Sequence, residues 1–149
     1  MRYFYLFACI AFCNVVKAQS PEDSVKAAVN QLFTAMKNAD SSLLVSSFAD
    51  SALLQTIVTT KEGKVEVKNE SIIEFASFIN KTPKGDADER IVFDILKIDG
   101  ALATVWAPYK FYYKGKFNHC GVDSFQMLRV NGKWKIQYLI DTRRKQGCE

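Results

Sequence analysis

Three glycine turns constrain this chain more than any other feature. Asp99-Gly100, Lys114-Gly115 and Asn131-Gly132 separate runs rich in Val, Ile, Phe, Tyr and Trp between residues 89 and 141. Dipeptides of this kind between alternating apolar runs mark tight hairpins, so the spacing predicts a four-stranded antiparallel meander. If each turn is a two-residue loop, the register follows. Across the first turn Ile95 faces Thr104 and Phe93 faces Trp106. Across the second, Trp106 faces Asp123, Thr104 faces Phe125, Leu102 faces Met127 and Lys110 faces His119. Across the third, Met127 faces Ile136, Phe125 faces Tyr138 and Asp123 faces Ile140.

Directly opposed residues share a sheet face. This register therefore collects Ile91, Phe93, Ile95, Leu102, Thr104, Trp106, Phe125, Met127, Trp134, Ile136, Tyr138 and Ile140 on one face, apolar enough to lie under helices. The other face carries Ala103, Val105, Ala107, Tyr109, Val122, Leu128 and Leu139 among Ser124, Gln126 and Gln137. It is too apolar for water, which points to a homodimer through the outer sheet face, or else to a cover of the chain's own loops. Pro108 lacks an amide to donate, so a bulge there would shift the pairings of Lys110 and His119 more than those of Asp123.

The preceding half supplies the helices. Ser20-Pro21-Glu22-Asp23 is a cap, a first-turn proline and two acids, followed by a stripe of Val25, Ala28, Val29, Leu32, Phe33 and Met36 at helical spacing to about Asn38. Asp40-Ser41-Ser42 caps a second, shorter helix with Leu43, Leu44 and Phe48. Leu53 to Thr59 and Lys64 to Val67 read as a hairpin around Glu62-Gly63, and Ser71-Ile72-Ile73-Glu74 is a capping box for a third helix through Ile79.

Met1-Arg2, the apolar run Tyr3 to Phe12 and the small residues before Gln19 have the form of a secretory signal peptide spanning residues 1–18. The run is too short for the ~20 residues of a bilayer span. Residues 19–149 then form a single domain, expected to be secreted or periplasmic with no membrane association after cleavage. Arg2 and Lys17 leave with the leader, so the 20 basic residues fall to 18 against 16 acidic ones, a formal +2. No nucleic-acid partner is expected from so small an excess. Cys9 and Cys13 leave as well. Cys120 and Cys148 remain and can pair in an oxidising compartment or stay as a half-buried and a free thiol.

Asp123 is the anomaly of the meander, an ionisable residue placed by the register between Trp106 and Ile140 on the helix-facing side. Burial would raise its pKa and suit it to general acid or base work or to orienting a ligand; the alternative is a structural carboxylate bonded to a helix terminus or to Arg143. His119, the one histidine, shares that face by alternation, four residues and roughly 13 Å of strand away. It is a catalytic candidate beside Asp123, or else a half-exposed residue packed by Phe117 and Tyr112. One histidine and one nearby cysteine do not suggest zinc. No nucleophile elbow, phosphate-binding loop or dinucleotide fingerprint is present, so no metal or cofactor is expected. Arg143-Arg144-Lys145 is a basic cluster able to meet an anionic ligand at a pocket mouth.

Two helices, a hairpin, a third helix and a meander follow one another as in the nuclear transport factor two-like superfamily, which includes ketosteroid isomerase, scytalone dehydratase and SnoaL-like cyclases. Val105-Trp106-Ala107-Pro108-Tyr109, Phe117-Asn118-His119-Cys120-Gly121-Val122-Asp123-Ser124-Phe125, Gly132-Lys133-Trp134 and Asp141-Thr142-Arg143-Arg144 resemble its secreted bacterial branch called putative lumazine-binding. The resemblance implies an α+β fold, a cone-shaped curved antiparallel sheet with three N-terminal-half helices packed on its concave face. It also implies a pocket between helices and sheet, and frequent dimers. A fold shared by so many activities does not choose among them, and three readings follow. In the first, a small apolar or aromatic molecule binds in an aromatic pocket of Trp106, Phe93, Phe125, Tyr138, Ile140 and Phe33, with Arg143 nearby and Asp123 as polar handle. In the second, the protein is an isomerase, dehydratase or cyclase in which Asp123 moves a proton beside a carbonyl and His119 or Tyr138 assists. In the third, a dimeric accessory protein fills its pocket with its own side chains.

Overall fold

The computed structural model describes residues 20–148; the expected leader, residues 1–18, lies outside them. Helix α1 (Pro21–Asn38) starts where Ser20 accepts a hydrogen bond from the Asp23 amide and ends at Ala39 in the left-handed conformation. Asp40 caps α2 (Ser41–Ser47) by accepting from the Leu43 amide, and Ser71 caps α3 (Ile72–Lys81) by accepting from Glu74. Polar caps satisfy the first amides of each helix, which is why all three starts were legible.

The strands are β1 (Phe48–Thr59), β2 (Val65–Glu70), β3 (Ala87–Ile91), β4 (Ile95–Asp99), β5 (Leu102–Tyr113), β6 (Lys116–Val130) and β7 (Lys133–Thr142). They form one sheet in the order β2-β1-β7-β6-β5-β3, and β4 pairs with the other end of β5. The fold is α+β, three helices against a large curved sheet. One expectation needs correcting: β1 runs parallel to β7, so the sheet is mixed. A parallel neighbour needs a crossover rather than a hairpin, and most of the chain, from α3 through β6, separates these two strands.

Lys114-Gly115 and Asn131-Gly132 turn as expected, each residue at positive φ, closing Tyr113 on Lys116 and Val130 on Lys133. The first hairpin instead turns on Gly100-Ala101, with Asp99 opposite Leu102. Glycine at the first loop position suits the other favoured hairpin turn. The two-residue slip keeps every side chain on its face, but Ile95 now pairs with Trp106 and Lys97 with Thr104.

Three irregularities change more than that. Asn118 is an extra residue between the pairs Tyr112–Phe117 and Phe111–His119, and Gln137 is extra between Gln126–Tyr138 and Met127–Ile136. Opposite Pro108 the expected first strand breaks into β3 and β4, leaving Phe93 outside both ladders. A one-residue bulge inverts which face a strand presents beyond it and bends the strand. The bulge is therefore at Asn118 rather than Pro108, and its effect runs the whole length of β5. Beyond it Phe125 pairs with Val105 and Leu139, Trp106 with Ser124, Lys110 with Cys120, and Asp123 with Ala107 and Asp141.

The inner face consequently carries Ala103, Val105, Ala107, Phe125, Met127, Trp134, Ile136 and Leu139, packed on Val25, Val29, Leu32 and Phe33 of α1, Leu44 of α2 and Ile79 of α3. The ring of Phe33 meets that of Phe125 edge-on, centroids 6.2 Å apart. Ala103, Val105, Ala107, Tyr109 and Leu139, expected outside, are buried within. Trp106, Leu102, Thr104, Tyr138 and Ile140, expected inside, are on the outer face. Trp106 is 42% exposed there.

Candidate functional site

Where α3 lies across the mouth of the curved sheet, a cavity of about 540 Å³ opens to solvent. Met36, Phe75, Phe78 and Phe111 form its apolar wall; Glu70, Glu89, His119, Asp141 and Arg143 form the polar one. A deeper chamber of about 60 Å³ shares Met36, Phe75, Glu89, Asp141 and Arg143 with it and ends on Phe33, Leu139 and Asp123. Apolar walls with a few convergent polar groups are the usual make-up of a small-molecule site.

The polar wall is a chain of carboxylates. Asp123 and Asp141 are directly opposed on β6 and β7, both buried, and Glu89 enters from β3 to share a hydrogen bond with Asp123. Two carboxyl groups can make that bond only with a proton between them. Burial pushes Asp123 far above the usual carboxylate range, and the neighbouring Glu89 and Asp141 charges push it further. Burial likewise raises Glu89 to about 7, with Asp123 as hydrogen-bond donor holding it down and Asp141 opposing. Asp123 is thus the proton holder and Glu89 the group that titrates near neutrality. The Asp123 Oδ2 atom is buried without a partner, a costly state for an ionised oxygen and a tolerable one for a neutral acid.

Asp141 is held differently. Its Oδ2 accepts from the Tyr109 hydroxyl at 3.0 Å and from Arg143 Nε at 2.8 Å, while Arg143 Nη2 reaches Glu70 Oε1 at 3.2 Å. The same hydroxyl lies 2.9 Å from the Thr142 carbonyl. Burial and the surrounding carboxylates keep Tyr109 protonated far beyond the ordinary phenol range. Burial works against the Arg143 charge, and Asp141 more than compensates, so its pKa is raised. Gly121 makes this packing possible: a Cβ there would sit 1.7 Å from the Thr142 oxygen and 2.8 Å from the Tyr109 ring.

His119 stands at the cavity edge with its Nδ1 2.8 Å from Asn118 Oδ1, against the rings of Tyr109 and Phe111. These rings, and not Phe117 and Tyr112, pack it. Burial and the nearby Arg143 charge lower its pKa, so the imidazole is neutral at pH 7. A neutral imidazole can accept a hydrogen bond or a proton from a bound molecule, becoming charged only when it takes the proton.

Of the residues proposed from sequence, Asp123, His119, Phe33 and Arg143 line this cavity or its inner chamber. Phe125 is core beneath it, wholly buried. Phe93 packs at the core's edge under the Lys26 ammonium, and Trp106, Tyr138 and Ile140 face outward because of the two bulges. Glu89, Asp141, Tyr109 and the α3 aromatics Phe75 and Phe78 were missed. Glu89 is the first residue of the expected meander and carries no motif of its own, and Asp141 opposes Asp123 only once Gln137 is recognised as an extra residue. Among the described residues no group of three or more His, Cys, Asp or Glu is arranged to hold a metal ion.

Helices over a curved sheet with a cavity at the open end define a nuclear transport factor two-like domain. The chain belongs to the family described as putative lumazine-binding, matched over residues 20–138. No curated protein matches it. Solved structures with the same fold include a nuclear transport factor two-like protein of unknown function from Shewanella baltica (17% identity, TM-score 0.62, 83% of this chain and 93% of that one). A domain of unknown function with a cystatin-like fold from Nostoc punctiforme is also similar (16%, TM-score 0.65, 88% and 82%). So is a structure described as a putative dehydratase of the nuclear transport factor two-like family from Streptomyces avermitilis (15%, TM-score 0.61, 83% and 96%).

Proposed function

We propose that this is a secreted or periplasmic small-molecule-binding protein whose ligand, a flat and largely apolar molecule with one polar group, occupies the cavity under α3. The observation that carries the reading is the cavity itself: about 540 Å³, with an aromatic wall from α3 and β5 facing Glu89, His119 and Arg143. The disulfide between Cys120 and Cys148 supports the location, since such bonds persist in oxidising compartments. Among the described residues no helix is long and apolar enough to cross a membrane. The outer face still exposes Trp106, Leu102, Ile95 and Leu128, and a homodimer through these residues belongs to the same proposal; a monomeric mass in sedimentation at micromolar protein would refute it.

A screen by thermal shift against flat heterocycles, steroids and carbonyl compounds tests the binding reading. A saturable stabilisation of the wild type that is lost in Phe111→Ala is expected. Stabilisation by no compound, or equally in wild type and variant, would overturn it.

The Glu89–Asp123 pair favours a second reading, proton transfer on the bound molecule. A base titrating near 7 and backed by a neutral acid is suited to removing a proton next to a carbonyl and returning it elsewhere. This is the isomerase or dehydratase type of chemistry, with Glu89 as the base in contact with the ligand and Asp123 behind it. Deuterium uptake from D2O into a bound carbonyl compound should occur with wild type and cease with Glu89→Gln while binding persists. Uptake unchanged in that variant would reject the role.

A further inference from the structure

The outer face carries a second charged constellation, of opposite sign. Arg90 on β3 is directly opposed to Lys110 on β5, Lys110 to Cys120 on β6, and Cys120 to Arg144 just beyond β7. Arg90, Lys110 and Arg144 thus lie in one row that crosses β3, β5, β6 and the segment after β7. Directly opposed like charges disfavour strand pairing, and all three side chains are exposed.

The row lines a cleft of about 290 Å³ whose other walls include Val92, Pro108 and Tyr112. Among the described residues no acidic residue lines it. The Arg90 guanidinium is taken up by Asp88, with Nη2 and Nε 2.8 and 2.9 Å from Oδ2, and it stacks over the Tyr112 ring at 4.3 Å. Lys110 and Arg144 have no carboxylate within 4.0 Å among the described residues; Arg144 Nε donates to the Gly147 carbonyl at 3.2 Å. The backbone holds Arg144 in place by paired hydrogen bonds of 2.9 and 2.8 Å with Cys120, and the Cys120–Cys148 disulfide closes the tail over the same spot. Two cations without a carboxylate partner among the described residues therefore flank a disulfide, at the edge of a cleft with an aromatic and aliphatic wall.

We propose that this cleft is a second binding site, distinct from the cavity under α3, for a small molecule bearing an oxyanion on a flat apolar body, such as an aryl phosphate or aryl carboxylate. The oxyanion lies between Lys110 and Arg144, where charge-assisted hydrogen bonds are strong, and the ring lies against Tyr112, Pro108 and Val92. The site owes nothing to the carboxylates of the inner cavity, so it stands whether or not the cavity reading does.

The test is a titration of isotope-labelled protein with phenyl phosphate at constant ionic strength, followed by amide chemical shifts, with inorganic phosphate in parallel to separate the oxyanion from the ring. Saturable shifts at Lys110, Cys120 and Arg144 are expected. Affinity should fall about tenfold in Lys110→Gln and in Arg144→Gln, and stay unchanged in Lys116→Gln at the hairpin tip, each spectrum also reporting that the variant is folded. Binding of phosphate as tight as that of phenyl phosphate would remove the apolar wall from the proposal. Shifts that do not saturate, an equal loss in Lys116→Gln, or shifts centred on Glu89 and His119 would overturn the site.

Discussion

Two pairs of like charges face each other across strands of one sheet, and they are handled in opposite ways. Asp123 and Asp141 are opposed on the inner face, buried; Arg90 and Lys110 are opposed on the outer face, exposed. Inside, the repulsion is relieved chemically: Asp123 keeps a proton, shared with Glu89, while Tyr109 and Arg143 hold Asp141. Outside, Arg and Lys cannot shed their charge near neutral pH, so water, Asp88 or an incoming anion must provide the relief. Strand alternation puts the two systems side by side in sequence, Glu89 beside Arg90 and Arg143 beside Arg144. A one-residue slip would exchange them.

The largest way to break this contrast is through the residues that define the two faces. Phe125→Ala should cost about 3–5 kcal/mol in denaturant unfolding, since the ring is wholly buried against Phe33. Trp106→Ala, on the opposite face, should cost under about 1 kcal/mol in the monomer, whereas the register read from the turns alone would make these losses equal. Replacing Cys120 and Cys148 together by serine should cost roughly 3–4 kcal/mol by the chain-entropy argument for a separation of 28 residues. It should also weaken phenyl phosphate binding outside while leaving the cavity's ligand unaffected.

A smaller effect sharpens the inner half of the comparison. The folded-state pKa of Glu89, about 7, lies above its ordinary value of about 4.3. Its favourable contribution is then complete below about pH 4 and is lost as pH rises through 7. Wild type should lose stability between pH 5 and pH 8, and Glu89→Gln should flatten that slope by on the order of 1–3 kcal/mol in urea titrations at the two pH values. Smallest of all, Asp123→Asn should leave stability unchanged or slightly raised, because burial and the neighbouring carboxylates hold the wild-type group protonated above the usual carboxylate range. A clear loss would mean that the carboxylate works ionised.

Much of the fold was legible because its signals are local. Ser20, Asp40 and Ser71 cap the three helices from within one turn, and Lys114-Gly115 and Asn131-Gly132 close their hairpins with residues that tolerate positive φ. The sheet faces were half legible. Asp123, Phe125 and Met127 were placed correctly on β6, yet Trp106 and Tyr138 were inverted, because neither Asn118 nor Gln137 is a glycine or proline that would mark an extra residue. The site suffered accordingly. Asp123 and His119 stood out as ionisable residues on an apolar strand, but Glu89 meets Asp123 across the intervening β5, a contact that no short motif signals. The parallel pairing of β1 with β7 is a long-range choice for which no short motif exists.

The account rests on the proton shared by Glu89 and Asp123, and the most direct test is to follow the Glu89 side-chain carboxyl ¹³C shift from pH 3 to pH 10. A midpoint near 7 that rises further in Asp123→Ala, where the hydrogen bond holding it down is gone, would bear the account out. A midpoint near 4.3 in the wild type would contradict it, leaving the inner carboxylates as a structural network with no group poised to move a proton.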